Sequence, residues 1–194
     1  SDLHPRLPST TLNALYAEGS VSAWDSPTQS RPDWVLIRKL LHQCLARGRV
    51  LDLGCFDGAL LHSLGVEYEC FGVELNREAA ARASEGGVQL LGNDFAALHT
   101  CELRFDAIIA TDVVEHVPDP RAFLAQCTRL LAPNGMVIMS TGCTDAWSWR
   151  LMGAAYWYCA NAEHLSFLSE RWVRRTGAEL QLHTLLVQHF AHDP

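Results

Sequence analysis

A chain of 194 residues has room for one domain with a substantial core and is too short for two ordinary ones. Its composition, 48% hydrophobic and 19% charged, is that of a globular chain and excludes a disordered or fibrous one. A formal net charge of −7 argues against a broad phosphate-binding surface, which needs clustered Lys and Arg, so nucleic acid is not expected as a partner.

Residues 1–32 are rich in Ser, Thr and Pro and read as an arm, with one short helix around Thr10–Ala17. Trp34–Ala46 carries apolar residues at helical spacing, and Gly48 follows as its stop. An alternation of strands and helices then begins. Val50–Leu53 is a short apolar strand ending in Gly54, and Gly58–Leu64 reads as a helix. Glu69–Glu74 is a second strand, and Asn76 is suited to cap a helix over Arg77–Ser84 that Gly86-Gly87 ends. Val88–Leu91 is the next strand. Phe105–Ala110 is nearly all apolar after Asp106, as a central strand covered on both faces should be. Asp119-Pro120 supplies an N-cap and an N1 proline for a helix through Leu131, and Pro133-Asn134-Gly135 is a turn before a strand over Met136–Ser140.

Beyond Thr141 the pattern changes. Ala146–Cys159 is dense in aromatics (Trp147, Trp149, Tyr156, Trp157, Tyr158) and reads as an insertion; Leu168–Thr176 is a helix with Ser169 near its start and Gly177 after its end, and Glu179–Phe190 is a last strand. The order implies an α/β fold of three layers around a mostly parallel, doubly wound, Rossmann-like sheet with right-handed crossovers. Residues 1–194 are expected to form a single domain: an arm and helix (1–47), a cofactor-binding core (48–141) and a substrate-side insertion with the final helix and strand (142–194).

The seven cysteines (Cys44, Cys55, Cys70, Cys101, Cys127, Cys143, Cys159) are odd in number, scattered and without C-x-x-C, which speaks for reduced thiols and a cytoplasmic setting. No apolar run reaches the roughly 18–20 residues of a membrane span, and no basic-then-apolar leader opens the chain. The opening Ser1-Asp2 lacks a Met, as in a chain trimmed from a longer one. Arg171, Arg174 and Arg175 are the best local basic patch, and a solvated helix face accounts for them.

Ligands of open parallel sheets sit at the carboxyl ends of the strands, so the turn V-L-D-L-G-C-F-D-G (50–58) is the expected cofactor loop. Gly54 permits close backbone approach and Gly58 tight helix–strand packing. Glu74 ends the second strand 20 residues after Gly54, where a carboxylate can accept from two ribose hydroxyls. A nicotinamide dinucleotide would need G-x-G-x-x-G to rest its pyrophosphate on the helix N-terminus. Here Phe56 fills the second glycine position and Asp57 would face the phosphates, so a cofactor without phosphate and with a cationic centre suits the loop better.

Together with VELN (73–76), GNDF (92–95), FDAIIATDVVEHVPDP (105–120) and LAPNGMVIMST (131–141), this loop resembles the class I S-adenosylmethionine-dependent methyltransferases over about half the chain. The resemblance implies S-adenosylmethionine as cofactor. Asp52 and Gly54, with Cys55, Phe56 and Gly58 of the loop, would lie along its methionine end, Glu74 would take the ribose hydroxyls, and Leu75 would pack on the adenine. Asn93, Asp94 and the Phe95 backbone would meet the adenine edge, and Thr111 and Asp112 would close the site near the sulfonium. It also implies the strand order 3-2-1-4-5 followed by two more strands; only one is visible here, so the C-terminal strand is expected to be missing. The edge so exposed is open to the arm or to a second subunit in a homodimer.

The methyl acceptor is expected to be a small molecule methylated at oxygen rather than nitrogen, with His116, His164 and Asp112 as candidate catalytic residues. His164 lies in N-A-E-H-L-S-F-L-S-E, similar to an EHLSF-like motif that follows an aromatic insertion in a subgroup acting on quinone precursors and sugars. Asp112-x-x-Glu115-His116 resembles the E-x-x-E-H cluster with which ubiquinone-pathway and small-RNA methyltransferases hold a divalent metal. The E-H pair also serves relatives without metal, and no metal ligand is assigned. Rival readings are an NAD(P)-dependent oxidoreductase and a methyltransferase-like domain that binds without catalysis. Asp57 and Asp112 have a purely structural alternative as helix caps, His164 as a helix-entry residue bonded to backbone, and the aromatics of 147–158 as ordinary core.

Overall fold

The computed structural model of the chain describes residues 31–160 and 163–190. The helix expected around Thr10–Ala17 lies outside them. The elements are α1 (Pro32–Cys44), β1 (Gly48–Leu53), α2 (Ala59–His62), β2 (Tyr68–Val73), α3 (Arg77–Glu85), β3 (Gln89–Gly92), β4 (Phe105–Thr111), α4 (Pro120–Leu130), β5 (Leu131–Ser140), α5 (Trp147–Met152) and α6 (Glu170–Glu179). Short 3-10 turns at Phe95–Thr100 and Val114–His116 follow β3 and β4.

The five strands are ordered β3-β2-β1-β4-β5 and all neighbours run parallel. Side-chain alternation along each strand divides the core in two. Leu51, Leu53, Phe71, Val73, Ile108 and Ala110 face a layer that includes Phe123, Cys127 and Leu130 of α4. Val50, Tyr68, Ala107 and Ile109 face Trp34, Ile37 and Leu41 of α1 with Leu60, Leu61 and Ala83 of α2 and α3. This is the three-layer, doubly wound arrangement expected from the sequence. The chain reverses winding direction between β1 and β4, and there the carboxyl ends of two adjacent strands open a crevice.

The caps that fix the crossover helices are those the sequence announces. Asn76 accepts from Glu78 N and Ala79 N, Asp119 from Arg121 N and Ala122 N, and Ser169 from Trp172 N, each worth about 1 kcal/mol. Pro133-Asn134-Gly135 lies within β5, where the register against β4 shifts between Phe105 and Ala107 and Asn134 takes φ +64°.

The C-terminal region differs from expectation. Gly177 does not end the last helix, which runs on to Glu179; the left-handed residue is Gln181, at φ +61°. Gly177 is buried, and its carbonyl accepts Leu182 N at 2.8 Å, so the backbone folds back over it. Residues 182–190 form no strand and carry exposed Leu185 and Leu186, so β5 is an edge strand among the described residues. The apolar alternation of Glu179–Phe190 fits a strand, but it finds no sheet partner here.

Candidate functional site

Three left-handed residues shape the loop after β1: Gly54 at φ +78°, Phe56 at +48° and Gly58 at +79°. A Cβ on Gly54 would come within 2.8 Å of Val113 Cγ2, so the loop lies directly against the chain leaving β4. Phe56 holds a glycine-type conformation with a full side chain, at a cost of order 1 kcal/mol. What offsets that cost is Glu74: its Oε2 accepts Phe56 N at 2.8 Å and its Oε1 accepts Asn76 N at 2.7 Å. One buried carboxylate thus ties the first loop to the start of α3, and burial raises its pKa.

Asp52 stands beside it, at the end of β1 and 2% exposed. Its Oδ1 is buried without a hydrogen-bond partner among the described residues. Desolvation, with the nearby Glu74 charge, pushes its pKa up to about 8. A buried carboxylate oxygen lacking a donor is costly, and a ligand carrying hydroxyl or ammonium donors would supply one. Each Glu74 oxygen keeps capacity for a second donor beyond the backbone N–H it accepts. These carboxyl groups fit a cofactor that brings hydroxyl or ammonium donors.

The other cofactor candidates sit along the same rim in more ordinary roles. Asp94 is half-buried and its Oδ1 caps the 3-10 turn through Ala96 N; Asn93 is exposed, Leu75 half-buried, and Phe95 packs edge-on against Phe123 at 5.5 Å. Cys55 is buried against Gly72. Asp57, just before the N-cap position Gly58, accepts Ala59 N at the start of α2. Thr111 ends β4, half-buried, and Asp112 follows at φ +53° with its Oδ2 2.6 Å from Arg31 Nη2.

On the other side of the crevice the structure brings together His116 and His164, 48 positions apart in the chain. Their rings meet edge-on at 4.9 Å. His116 Nδ1 lies 3.0 Å from the Glu163 carbonyl and His164 Nδ1 2.8 Å from the Tyr158 carbonyl. A carbonyl can only accept, so both Nδ1 atoms carry a proton, which leaves Nε2 as the acceptor nitrogen of each neutral ring. Burial lowers the His116 pKa by disfavouring its charged form.

Glu115, 1% exposed, fastens the insertion to this pair. Tyr158 donates to its Oε1 at 2.5 Å and Thr141 to its Oε2 at 3.0 Å, while its backbone carbonyl accepts Leu165 N and Ser166 N. Gly142 N donates to the Tyr158 hydroxyl, and a Cβ on Gly142 would strike the Tyr158 ring. The Tyr158 ring lies 4.1 Å from His164, and Trp149 contacts Tyr156, Tyr158 and Phe167 at 5.3, 5.9 and 5.1 Å. Glu115, His116 and His164 each offer a ligand atom within 4.8 Å of the others, a set that could hold a divalent cation. Of the D-x-x-E-H residues, Glu115 and His116 belong to this set with His164, while Asp112 is engaged with Arg31. Tyr158, Thr141, Gly142 and Arg31 escape a reading of the sequence, because each acts through a partner far away in the chain.

The profile of a methyltransferase domain family matches residues 33–184. The chain belongs to that family. It is 36% identical over 164 residues to a ubiquinone biosynthesis O-methyltransferase of Thiobacillus denitrificans, covering 74% of this chain and 68% of the relative. With the protein of the same name from Xanthomonas oryzae it shares 36% over 124 residues, 58% of this chain and 51% of the relative. The methyltransferase domain thus spans about half to two thirds of these relatives. In fold it is similar to the crystal structure of magnesium protoporphyrin IX methyltransferase from Synechocystis with bound S-adenosylhomocysteine, at TM-score 0.67 and 14% identity over 89% of each chain. Among the described residues no helix is long and apolar enough to cross a membrane.

Proposed function

We propose that this methyltransferase domain transfers a methyl group from S-adenosylmethionine to a hydroxyl oxygen of a small, planar, apolar acceptor. The observation that carries the reading is the division of the crevice: a carboxyl rim of Asp52 and Glu74 at β1 and β2, facing a pair of histidines with acceptor Nε2 atoms set in an aromatic wall. The relatives' name, ubiquinone biosynthesis O-methyltransferase, supports oxygen as the acceptor atom.

S-adenosylmethionine, when bound, supplies an activated methyl group. Asp52 and Glu74 would hold its polar groups, with Gly54, Cys55, Phe56 and Gly58 forming the floor and Leu75, Asn93, Asp94, Phe95 and Thr111 the adenine side. Trp149, Tyr156 and Phe167 would orient the acceptor ring, since aligning two reactants is most of what such a transfer asks of a protein. His116 or His164 would take the acceptor's proton at Nε2; Glu115, held by Tyr158 and Thr141, steadies both. Asp112, bonded to Arg31, is reassigned from catalysis to the cofactor side.

A second reading, favoured by the 4.8 Å cluster, places a divalent cation on Glu115, His116 and His164, where it would lower the acceptor's pKa. The cytoplasmic setting, and a homodimer through the β5 edge, belong to the same proposal.

The test is incubation of the chain with methyl-labelled S-adenosylmethionine and a panel of catechols, simple phenols and aryl amines, with and without a chelator. Label on phenolic oxygen supports the proposal; label confined to amines refutes oxygen transfer. Activity abolished by chelator and restored by a divalent cation selects the second reading.

A further inference from the structure

Glu115 grips the stretch of chain that carries His164 on both sides of it. Its carboxylate accepts the Tyr158 hydroxyl at 2.5 Å, six positions before His164. Its backbone carbonyl accepts Leu165 N at 2.7 Å and Ser166 N at 2.9 Å, directly after His164. Ser166 adds a further tie, its hydroxyl donating to Val117 O at 3.1 Å. Glu115 is 1% exposed and takes Thr141 Oγ1 on its other oxygen, so this anchor is itself fixed between the ends of β4 and β5.

Tyr158 is the held residue that touches the histidine. Its backbone carbonyl accepts His164 Nδ1 at 2.8 Å, and its ring lies 4.1 Å from the imidazole with 40° between the planes. One residue thus supplies both the hydrogen bond that sets the His164 tautomer and the surface on which the ring rests. The Tyr158 ring has little room to shift: its hydroxyl accepts Gly142 N at 3.0 Å, and a side chain at Gly142 would strike it.

His164 is also the histidine built into the aromatic wall. It meets Tyr158 and Phe167 at 4.1 and 6.4 Å, the two rings that Trp149 contacts at 5.9 and 5.1 Å. His116 meets His164 edge-on at 4.9 Å, and its Nδ1 lies against the carbonyl of Glu163. An acceptor ring seated on that wall is therefore in reach of His164.

We propose that, of the two histidines, His164 serves the acceptor, and that Tyr158 is its positioning residue, passing the rigidity of Glu115 to the imidazole through its carbonyl and its ring. The inference rests on the proposed methyl transfer to oxygen. In that transfer the acceptor oxygen bonds to the methyl carbon and its proton goes to His164 Nε2, leaving an imidazolium. The carbon–sulfur bond breaks with its electron pair going to sulfur.

A double-mutant cycle on the full chain, read as turnover with S-adenosylmethionine and a simple phenol, tests this. Tyr158→Phe keeps the ring and the carbonyl but loses the tie to Glu115. It should lower kcat about tenfold, while KM for the phenol and the affinity for S-adenosylhomocysteine stay within about twofold. In a His164→Asn background the same change should cost less than about twofold, and in a His116→Asn background its tenfold cost should persist. Gly142→Ala, which pushes the Tyr158 ring aside with its hydroxyl intact, should repeat the pattern. An equal loss with and without His164, no loss at all, or a loss that disappears only when His116 is replaced overturns the inference. Proton–nitrogen correlation NMR of the histidine rings, at a pH where they are neutral, reads the same claim without turnover. His164 should hold one tautomer, protonated at Nδ1, in the wild type and populate both in Tyr158→Phe; unchanged His164 signals overturn the positioning role. A chain that methylates no phenol overturns the proposed oxygen transfer, and the NMR comparison then decides by itself whether Tyr158 positions His164.

Discussion

Replacing Asp52 by Asn separates the cost of the site from its use. In the empty fold Asp52 is buried with one oxygen unpartnered, and its pKa is raised from an ordinary carboxylate value to about 8. The fold therefore favours the protonated form, and over the window from the ordinary carboxylate range to about pH 8 the native state binds one more proton than the unfolded chain. Stability from this group is present at low pH and is lost as pH rises through that window, at about 1.4 kcal/mol per unit. Between pH 5 and pH 8 this amounts to roughly 4 kcal/mol, and at about 3 °C per kcal/mol for a chain of this size the melting point falls by roughly 10 °C. Asp52→Asn removes the titration, so its melting point should be flatter across that range and should exceed the wild type at pH 8. Added S-adenosylhomocysteine should raise the wild-type melting point and leave the variant nearly unmoved. Thermal unfolding in matched buffers at pH 5, 6, 7 and 8 reads both effects. Parallel pH curves for the two proteins would refute the assignment of a strained, neutral carboxyl group to Asp52.

Glu74→Gln puts an amide NH2 against one of two backbone donors, Phe56 N or Asn76 N, and should weaken S-adenosylhomocysteine binding tenfold or more, by calorimetry. Tyr158→Phe deprives buried Glu115 of a donor and Gly142 N of an acceptor, which costs about 1–3 kcal/mol and should lower the melting point by about 5 °C without changing S-adenosylhomocysteine affinity. His116→Asn and His164→Asn test the proton acceptor: the residue that serves should cost about 10²-fold in turnover on a phenol of ordinary acidity, and much less on a strongly acidic nitrophenol. Equal losses on both acceptors would show a positioning role instead.

Much of the fold is legible in the sequence because local chemistry and global topology agree. Asn76, Asp119 and Ser169 announce their helices by residue type, and the apolar run of Phe105–Ala110 announces a central strand. The loop after β1 is legible through Gly54 and Gly58, yet the reason Phe56 is tolerated is not: a Glu74 oxygen 18 positions away stabilises its backbone. The C-terminal reading went astray at Gly177, a residue whose type suggests a helix stop but which lies inside the helix, the left-handed turn falling to Gln181. On the acceptor side the sequence offers His116 and His164 as separate candidates. Only the packing of the insertion against Glu115 brings them into contact and leaves Asp112 to Arg31.

The central claim is that the crevice between β1 and β4 receives S-adenosylmethionine. A crystal structure of the full chain with S-adenosylhomocysteine tests it most directly. The account predicts ligand density with the ribose on Glu74, a donor within hydrogen-bonding distance of Asp52 Oδ1 and the sulfur turned toward the His116–His164 pair. Ligand density elsewhere, or a crevice that stays empty at saturating ligand, would contradict it.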